Sequence, residues 1–163
     1  MNVRPAAREH HYATRLEWTG ARDGPTRSYA AYSRAHRITF EGKPPLEGSA
    51  DPAFRGDPHF YIPEELLLAS LSACHMLTYL AVCALAGIVV ASYADDATGT
   101  MTETGGVGRF SRVVLRPRVT VASGDLEHAR ALHDQAHRDC FIASSVNFPV
   151  EHEPDVRLAD LRA

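Results

Sequence analysis

Hydrophobic residues follow a helical spacing in two segments of the chain. The longer segment begins at Pro63, runs to about Ala86 and stops at Gly87. Proline suits the first helical position, and glycine is typical directly after a helix end. The shorter helix is predicted to be capped by Asp125 and to run to about Asp139. Its apolar stripe consists of Leu126, Ala129, Leu132, Ala136 and Cys140.

Alternating apolar and polar residues predict strands in the rest of the chain. A half-buried strand is expected over residues 12–18, followed by a turn at 20–25 and a second strand over about 28–40. Beyond the long helix, the pattern predicts a strand over 88–93, a hairpin of 98–104 and 109–121 joined across 105–108, a last strand over 145–150, and a polar tail. Pro117 is expected to mark a bulge or an edge position.

These elements predict an α+β fold in which antiparallel strands pack on a long central helix and a second helix. The 163 residues suit a single domain covering the whole chain. Residues 1–10 are expected to form a flexible tail. Residues 41–62 are rich in proline and glycine and predict a long loop, and long loops in compact domains are often functional.

Composition excludes several classes of protein. The formal net charge is −3 and basic residues form no long runs, which argues against a nucleic-acid partner. No apolar segment follows the N-terminus, so a signal peptide is not expected. The apolar stretch 66–91 is interrupted by polar residues and predicts a buried helix rather than a membrane span. The sequence therefore predicts a cytoplasmic protein without a membrane partner.

The chain has three cysteines, Cys74, Cys83 and Cys140. An odd number without a secretory signal argues against a structural disulfide framework. Cys83 lies on the opposite face of the long helix from Cys74 and roughly 13 Å along it, so it is predicted to be a core residue. Cys74 and Cys140 lie on apolar faces of different helices. Whether they meet stays open, and each has an alternative interpretation as a small buried hydrophobe.

Histidines on the second helix suggest an alternative site. His133, His137 and Cys140 are spaced to share one helix face, which is an arrangement that can bind zinc. His75 is a candidate fourth ligand. Asp134, however, stands where a His-Glu-x-x-His motif would have glutamate, so the metal site is the runner-up hypothesis.

Two motifs resemble the OsmC/Ohr family, which comprises osmotically inducible protein C and organic hydroperoxide resistance proteins. The segment 63–74, Pro-Glu-Glu-Leu-Leu-Leu-Ala-Ser-Leu-Ser-Ala-Cys, is similar to the family's helix start and reactive cysteine. Cys140 is placed like the family's second cysteine, and the order of elements over residues 12–150 agrees. Ile62, His75 and Phe141 depart from common family residues, which indicates a side branch.

The resemblance implies a specific activity and assembly. It implies an intertwined homodimer with active sites at the subunit interface, and reduction of organic hydroperoxides, including those of lipids, in defence against oxidative stress. Cys74 would be oxidised to a sulfenic acid and Cys140 would resolve it as a disulfide. The implied reductant is an external dithiol, often a lipoylated protein, and no bound cofactor is implied. A redox sensor or small-ligand carrier of the same fold is the non-enzymatic alternative.

A reactive cysteine must be ionised, because the thiolate is the nucleophile. Cys74 lies in the middle of its helix, so a positive charge has to come from elsewhere. The resemblance implies two candidates: Arg22, in a turn similar to a Gly-x-Arg-x-Gly turn of organic-hydroperoxide-resistance members, and Arg55, placed about where other members carry their active-site arginine. It also implies that Glu64 pairs with such an arginine. Ten helical residues span about 15 Å. Glu64 and Cys74 therefore serve one site only if the helix bends or a second subunit contributes.

Overall fold

The computed structural model describes residues 8–159, so most of the predicted tail at 1–10 lies outside the described residues. The contacts between residues divide the chain into two compact units, residues 1–63 and residues 64–163.

The first unit contains a three-stranded antiparallel sheet. Its strands are β1 (Arg15–Glu17), β2 (His36–Thr39) and β3 (Leu46–Gly48), in the order β1-β2-β3. Short 3₁₀ helices span Thr19–Asp23 and Pro52–Phe54. The segment predicted as a long loop thus contains a strand and a 3₁₀ helix.

The predicted second strand over 28–40 is wrong for its first half, because residues 28–32 form bends and a turn and residues 33–35 form no strand. The indole Nε1 of Trp18 donates to the carbonyl oxygen of Ser33 at 2.7 Å, and the backbone N–H of Gly20 donates to the carbonyl of Ala35 at 2.8 Å. These bonds hold Ser33 and Ala35 against Trp18 and Gly20. A Cβ at Gly20 would clash with the Ser33 carbonyl, so this close approach requires glycine.

The described residues of the first unit, 8–63, form no apolar core. Among its described residues 8–63, only Gly20, Gly48 and Ser49 are buried. Leu16, on the face predicted to be half-buried, remains 66% exposed, so that prediction is wrong for the unit taken by itself. A three-stranded sheet normally needs a packed apolar face to be stable.

The second unit contains both predicted helices and six strands. Helix α1 spans Pro63–Leu85 and helix α2 spans Leu126–Asp139. The Asp125 side chain accepts a hydrogen bond from the backbone N–H of His128, as its predicted capping role requires. The strands are β4 (Val89–Asp95), β5 (Thr98–Thr104), β6 (Val107–Leu115), β7 (Pro117–Ser123), β8 (Val150–His152) and β9 (Asp155–Leu158). A 3₁₀ helix spans Ala143–Ser145.

These six strands form two sheets, with orders β4-β7-β9 and β5-β6-β8. The predicted single strand over 109–121 is wrong, because the chain leaves one sheet at Leu115 and enters the other at Pro117. Proline has no N–H to donate and is tolerated at the first position of a strand. The backbone N–H of Arg116 donates to Asp95 Oδ1 at 2.6 Å, which satisfies the donor at the crossover.

The predicted last strand over 145–150 is also wrong, because residues 146–149 form no strand. The hydroxyls of Ser144 and Ser145 donate to the carbonyls of Cys140 and Phe141, so helical turns extend past α2 as far as Ser145. Strand formation begins only at Val150, and a further strand lies in the predicted polar tail. Both strands, β8 and β9, pair parallel to their neighbours β6 and β7, whereas the expectation was antiparallel pairing throughout.

The core of the second unit is organised by one stripe of α1. Leu71, His75, Tyr79 and Cys83 recur every four residues, and all four are buried. Leu71 packs with residues of β6 and β8, while Tyr79 and Cys83 pack with β4, β7, β9 and α2. By length and apolar composition α1 is also long enough to cross a membrane. Core helices of soluble proteins can have the same length and composition, and 22% of this apolar window is buried.

Candidate redox site

Two cysteines that are 66 residues apart in the chain meet in the second unit. The Cys140 thiol donates a hydrogen bond to Cys74 Sγ, with the sulfur atoms 2.9 Å apart. Cys74 is carried by α1, and Cys140 caps the end of α2. Both are free thiols in this structure. The contact that sequence reasoning left open is therefore present.

The two sulfurs differ in their exposure. Cys74 is partly exposed, whereas Cys140 is fully buried. The backbone N–H of Ala143 also donates to Cys140 Sγ at 3.4 Å, because the turn after α2 folds over this sulfur. A reagent from solvent can therefore reach Cys74 first.

Burial, together with the hydrogen bond to Cys74, raises the pKa of the Cys140 thiol to about 11. Cys140 therefore keeps its proton at neutral pH and can donate it to its neighbour. The pair therefore consists of a protonated, buried thiol that is hydrogen-bonded to a more exposed sulfur.

Cys83 is separate from this pair. It is fully buried in the core, as predicted, and burial raises the pKa of its thiol. It packs among core residues such as Tyr79, Val119 and Ala129, where a peroxide from solvent does not reach it. Cys83 is a core residue.

The two candidate arginines lie in the first unit. Arg22 is exposed in the 3₁₀ helix Thr19–Asp23, and Arg55 is exposed directly after Pro52–Phe54. Neither makes an ion pair with a carboxylate of residues 8–159. Arg55 has a φ of 65°, the one positive value among described non-glycine residues. Which arginine serves Cys74 stays a prediction.

Glu64, in the first turn of α1, has an unsatisfied acceptor. Its Oε2 is buried and has no hydrogen-bond partner among the described residues. Buried carboxylate oxygens are normally paired with a donor. Glu64 therefore has the open acceptor that an arginine partner would need.

The histidines proposed as zinc ligands are used differently. Within residues 8–159, no group of three or more His, Cys, Asp or Glu side chains is arranged to hold a metal ion. His133 faces His75 instead, and the distance from His133 Nδ1 to His75 Nε2 is 3.0 Å, a hydrogen bond. The geometry therefore does not favour the metal hypothesis.

These histidines belong to a buried cluster that sequence reasoning missed. The ring of His133 stacks on the ring of Tyr79 with centroids 3.8 Å apart. The ring centroid of His152 lies 5.5 Å from that of His75 and 5.6 Å from that of His137. Burial lowers the pKa of His75 to about 4 and that of His133 to about 3, so both are neutral at pH 7. The available signal was the position of His75 on the four-residue stripe of α1.

Apolar residues close to the two cysteines in the chain are divided between core and surface. Leu71 is fully buried in the core, whereas Leu77 and Phe141 are 63% and 77% exposed. Phe141 directly follows Cys140 in the chain. Leu77 and Phe141 therefore offer apolar surface that a bound organic molecule can contact.

Comparison with known proteins agrees with this geometry. A family model described as OsmC-like protein matches residues 56–155. A solved structure of an OsmC-like protein of unknown function from Vibrio cholerae is 32% identical, with a TM-score of 0.81; the match covers 90% of this chain and all of the other.

Two more distant relatives also match over nearly their full lengths. The uncharacterized protein YmaD of Bacillus subtilis is 24% identical over 92% of this chain and 97% of its own. The structure of an organic hydroperoxide resistance protein from Legionella pneumophila is 19% identical, with a TM-score of 0.61 and coverage of 91% of this chain and 98% of its own. At that identity the likeness supports the fold alone.

Proposed function

The chain belongs to the family of OsmC-like proteins, and from this premise we propose that it is a thiol-dependent peroxidase that reduces organic hydroperoxides to alcohols. Family membership by itself supports a redox or peroxide-related function. The observation that supports the more specific proposal is the 2.9 Å contact between a partly exposed and a buried thiol.

The proposed cycle uses only the two thiols and an external reductant. The Cys74 thiolate attacks the distal peroxide oxygen, the O–O bond breaks, and the departing alkoxide takes up a proton to become the alcohol. Cys74 is left as a sulfenic acid. The Cys140 sulfur then attacks the Cys74 sulfur, which forms a disulfide and releases water. An external dithiol reduces that disulfide by two exchange steps and is itself oxidised.

The geometry favours the second step. A disulfide has a sulfur–sulfur distance of about 2.05 Å, so the two sulfurs need to approach by roughly 1 Å from their separation in the reduced protein. Because Cys140 is buried, its thiol is shielded from direct attack by peroxide. The arrangement therefore suits Cys74 as the first sulfur oxidised and Cys140 as the resolving sulfur.

Titration of free thiols tests this cycle. After one equivalent of cumene hydroperoxide, the wild-type protein is expected to fall from three free thiols to one, with Cys83 remaining. The Cys140→Ser variant is expected to hold a sulfenic acid at Cys74 that dimedone traps. Three free thiols remaining in the treated wild-type protein would contradict the proposed function.

For the cationic partner of Cys74 we favour Arg55 over Arg22. The loop before α1 is defined by hydrogen bonds: the N–H groups of Arg55 and Gly56 donate to the carbonyls of Pro52 and Asp51, and the N–H of Asp57 donates to Ser49 Oγ. Ser49 is itself buried. This network fixes the left-handed backbone at Arg55, and such conformations are enriched at functional sites.

Substitution of each arginine by alanine separates the two candidates. Arg55→Ala is expected to lower the second-order rate constant for peroxide reduction about 100-fold, because a fixed cation stabilises both thiolate and departing oxygen. Arg22→Ala, the matched control, is expected to stay within about twofold of wild type, since a solvated arginine contributes little. Stopped-flow measurement of peroxide consumption gives both values, and the reverse result would assign the role to Arg22.

We also propose that the protein is a homodimer in the cytoplasm and uses a dithiol reductant such as a lipoylated protein. The first unit supports the dimer, because its described residues bury no apolar side chain and leave Leu16 and Tyr12 exposed. Such a sheet needs an apolar surface to cover it. Light scattering is expected to give about twice the chain mass of 17.8 kDa. A monomer at micromolar concentration would contradict the dimer.

A further inference from the structure

The helices that carry the two thiols are joined at three places. Besides the sulfur contact, His75 of α1 is hydrogen-bonded to His133 of α2, and the hydroxyl of Tyr79 donates to the carbonyl of Ala129 at 3.1 Å. His75 directly follows Cys74, and His133 lies seven residues before Cys140. The histidine pair thus joins the same two helices as the sulfur contact, next to Cys74 on α1 and about two turns before Cys140 on α2.

Polar groups joined inside a core fix geometry more narrowly than apolar packing does. His75 is 1% exposed and His133 is fully buried, so water does not compete for their hydrogen bond. If the two helices slid apart, two ring nitrogens would be left buried without partners, which is unfavourable. The Tyr79 ring, stacked on His133, restricts the ring orientation further.

We propose that His75 and His133 are positioning residues of the redox site, whose buried hydrogen bond fixes α2 on α1 and so holds Cys140 against Cys74 for disulfide formation. This inference rests on the proposed thiol chemistry. It assigns the histidines no contact with peroxide. They affect the second step, in which the Cys140 sulfur attacks the Cys74 sulfur, and not the first step, in which Cys74 attacks the peroxide.

Neutrality of the pair is required for this role. A neutral imidazole has one N–H and one acceptor nitrogen, so one ring donates and the other accepts. When both rings are protonated, both facing nitrogens carry hydrogen and the bond is lost. The groups facing the pair are Tyr79 on α1, His137 on α2 and His152 on β8, and the carboxylate of Asp134 faces His152. Burial keeps His75 and His133 neutral well below pH 7.

An equilibrium with glutathione tests the inference without peroxide. Two glutathione thiols reduce the Cys74–Cys140 disulfide to two thiols and become one glutathione disulfide, so the equilibrium constant reports how well the sulfurs are held together. His133→Leu is expected to make the protein disulfide about tenfold less favourable, which corresponds to about 30 mV for this two-electron couple. His133→Asn places an amide near Nδ1 and is expected to return the constant to within about threefold of wild type.

Three further variants complete the design. His128→Leu changes an exposed histidine of the same helix and is expected to leave the constant unchanged. His75→Leu combined with His133→Leu removes both partners, so no buried nitrogen of the pair is left unsatisfied if the single variant does not fold. The double variant is expected to shift the equilibrium constant with glutathione as far as His133→Leu does. In the Cys140→Ser background, His133→Leu is expected to leave the rate of Cys74 oxidation by cumene hydroperoxide within about twofold.

Each result decides for or against the inference. A wild-type equilibrium constant in the leucine variants would overturn it. A loss in His133→Asn as large as in His133→Leu would also overturn it, because it would show that only the ring's packing matters. A shifted glutathione equilibrium in a protein that does not consume peroxide would leave the positioning role standing while the peroxidase proposal fails.

Discussion

Replacing Cys74 by serine is expected to lower the steady-state rate of organic hydroperoxide reduction at least about 1000-fold. A hydroxyl is not ionised at neutral pH and is a far weaker nucleophile toward peroxide than a thiolate. The rate is measured as peroxide consumed per protein in the presence of a dithiol. Serine is close in size to cysteine, so the partly exposed site keeps its shape and the loss reports chemistry.

Cys83→Ala is the matched control for this experiment, because it removes a thiol of the same helix that lies in the core. It is expected to keep the rate within about twofold while lowering stability by about 1–2 kcal/mol, since a small cavity replaces the sulfur. Cys140→Ser is expected to support one fast turnover and then to stall as the sulfenic acid. If Cys74→Ser retained turnover, another group would have to be the nucleophile and the proposed cycle would be wrong.

Acidification is expected to destabilise the fold strongly through the buried histidines. The pKa values of His75 and His133 in the folded protein, about 4 and about 3, lie below the ordinary 6.5. The unfolded chain therefore binds more protons than the folded protein between about pH 3 and pH 6.5. The stability that the two neutral histidines contribute is fully present above pH 6.5 and is lost as the pH falls through this window. At pH 5 the two histidines together are expected to lower the free energy of unfolding by about 3–4 kcal/mol relative to neutral pH.

Urea unfolding at pH 7.5 and pH 5, at one protein concentration, measures this loss. In the double variant His75→Leu and His133→Leu, the loss between the two pH values is expected to shrink to about 1 kcal/mol. His152 remains there, and burial lowers its pKa as well, although Asp134 opposes that shift. An equal acid sensitivity of the double variant and the wild type would show that other groups control the acid response.

The sequence predicted the helices well because their ends carry local signals. Pro63 and Gly87 bound α1, and the Asp125 cap begins α2, so both were located to within one residue of their observed limits. Strands were predicted less well. The apolar alternation continues past Arg116, so nothing local showed that the chain changes sheets there, and the crossover depends on Asp95 twenty-one residues earlier.

In the candidate site, too, individual residues could be predicted from the sequence but contacts between distant residues could not. Cys74 and Cys140 were identified through their resemblance to the two cysteines of the family, but their contact depends on how α2 packs on α1, which no local pattern encodes. The histidine cluster was missed for a related reason. His133 and His137 share a helix face, and this spacing is as typical of metal binding as of a histidine cluster. The residue to which His133 is hydrogen-bonded, His75, lies 58 residues away in the chain. The roles of Glu64, Arg22 and Arg55 stay predictions.

The uncovered sheet of the first unit has a consequence for biosynthesis. A ribosome releases residues 8–63 before α1 is complete, and this segment buries no apolar side chain that could hold it folded. We therefore expect this segment to stay unstructured until later residues or another copy provide a surface. During that interval Tyr12, Leu16 and Trp18 remain accessible to chaperones and proteases, so the amount of protein that matures is expected to depend on how quickly the later residues are translated.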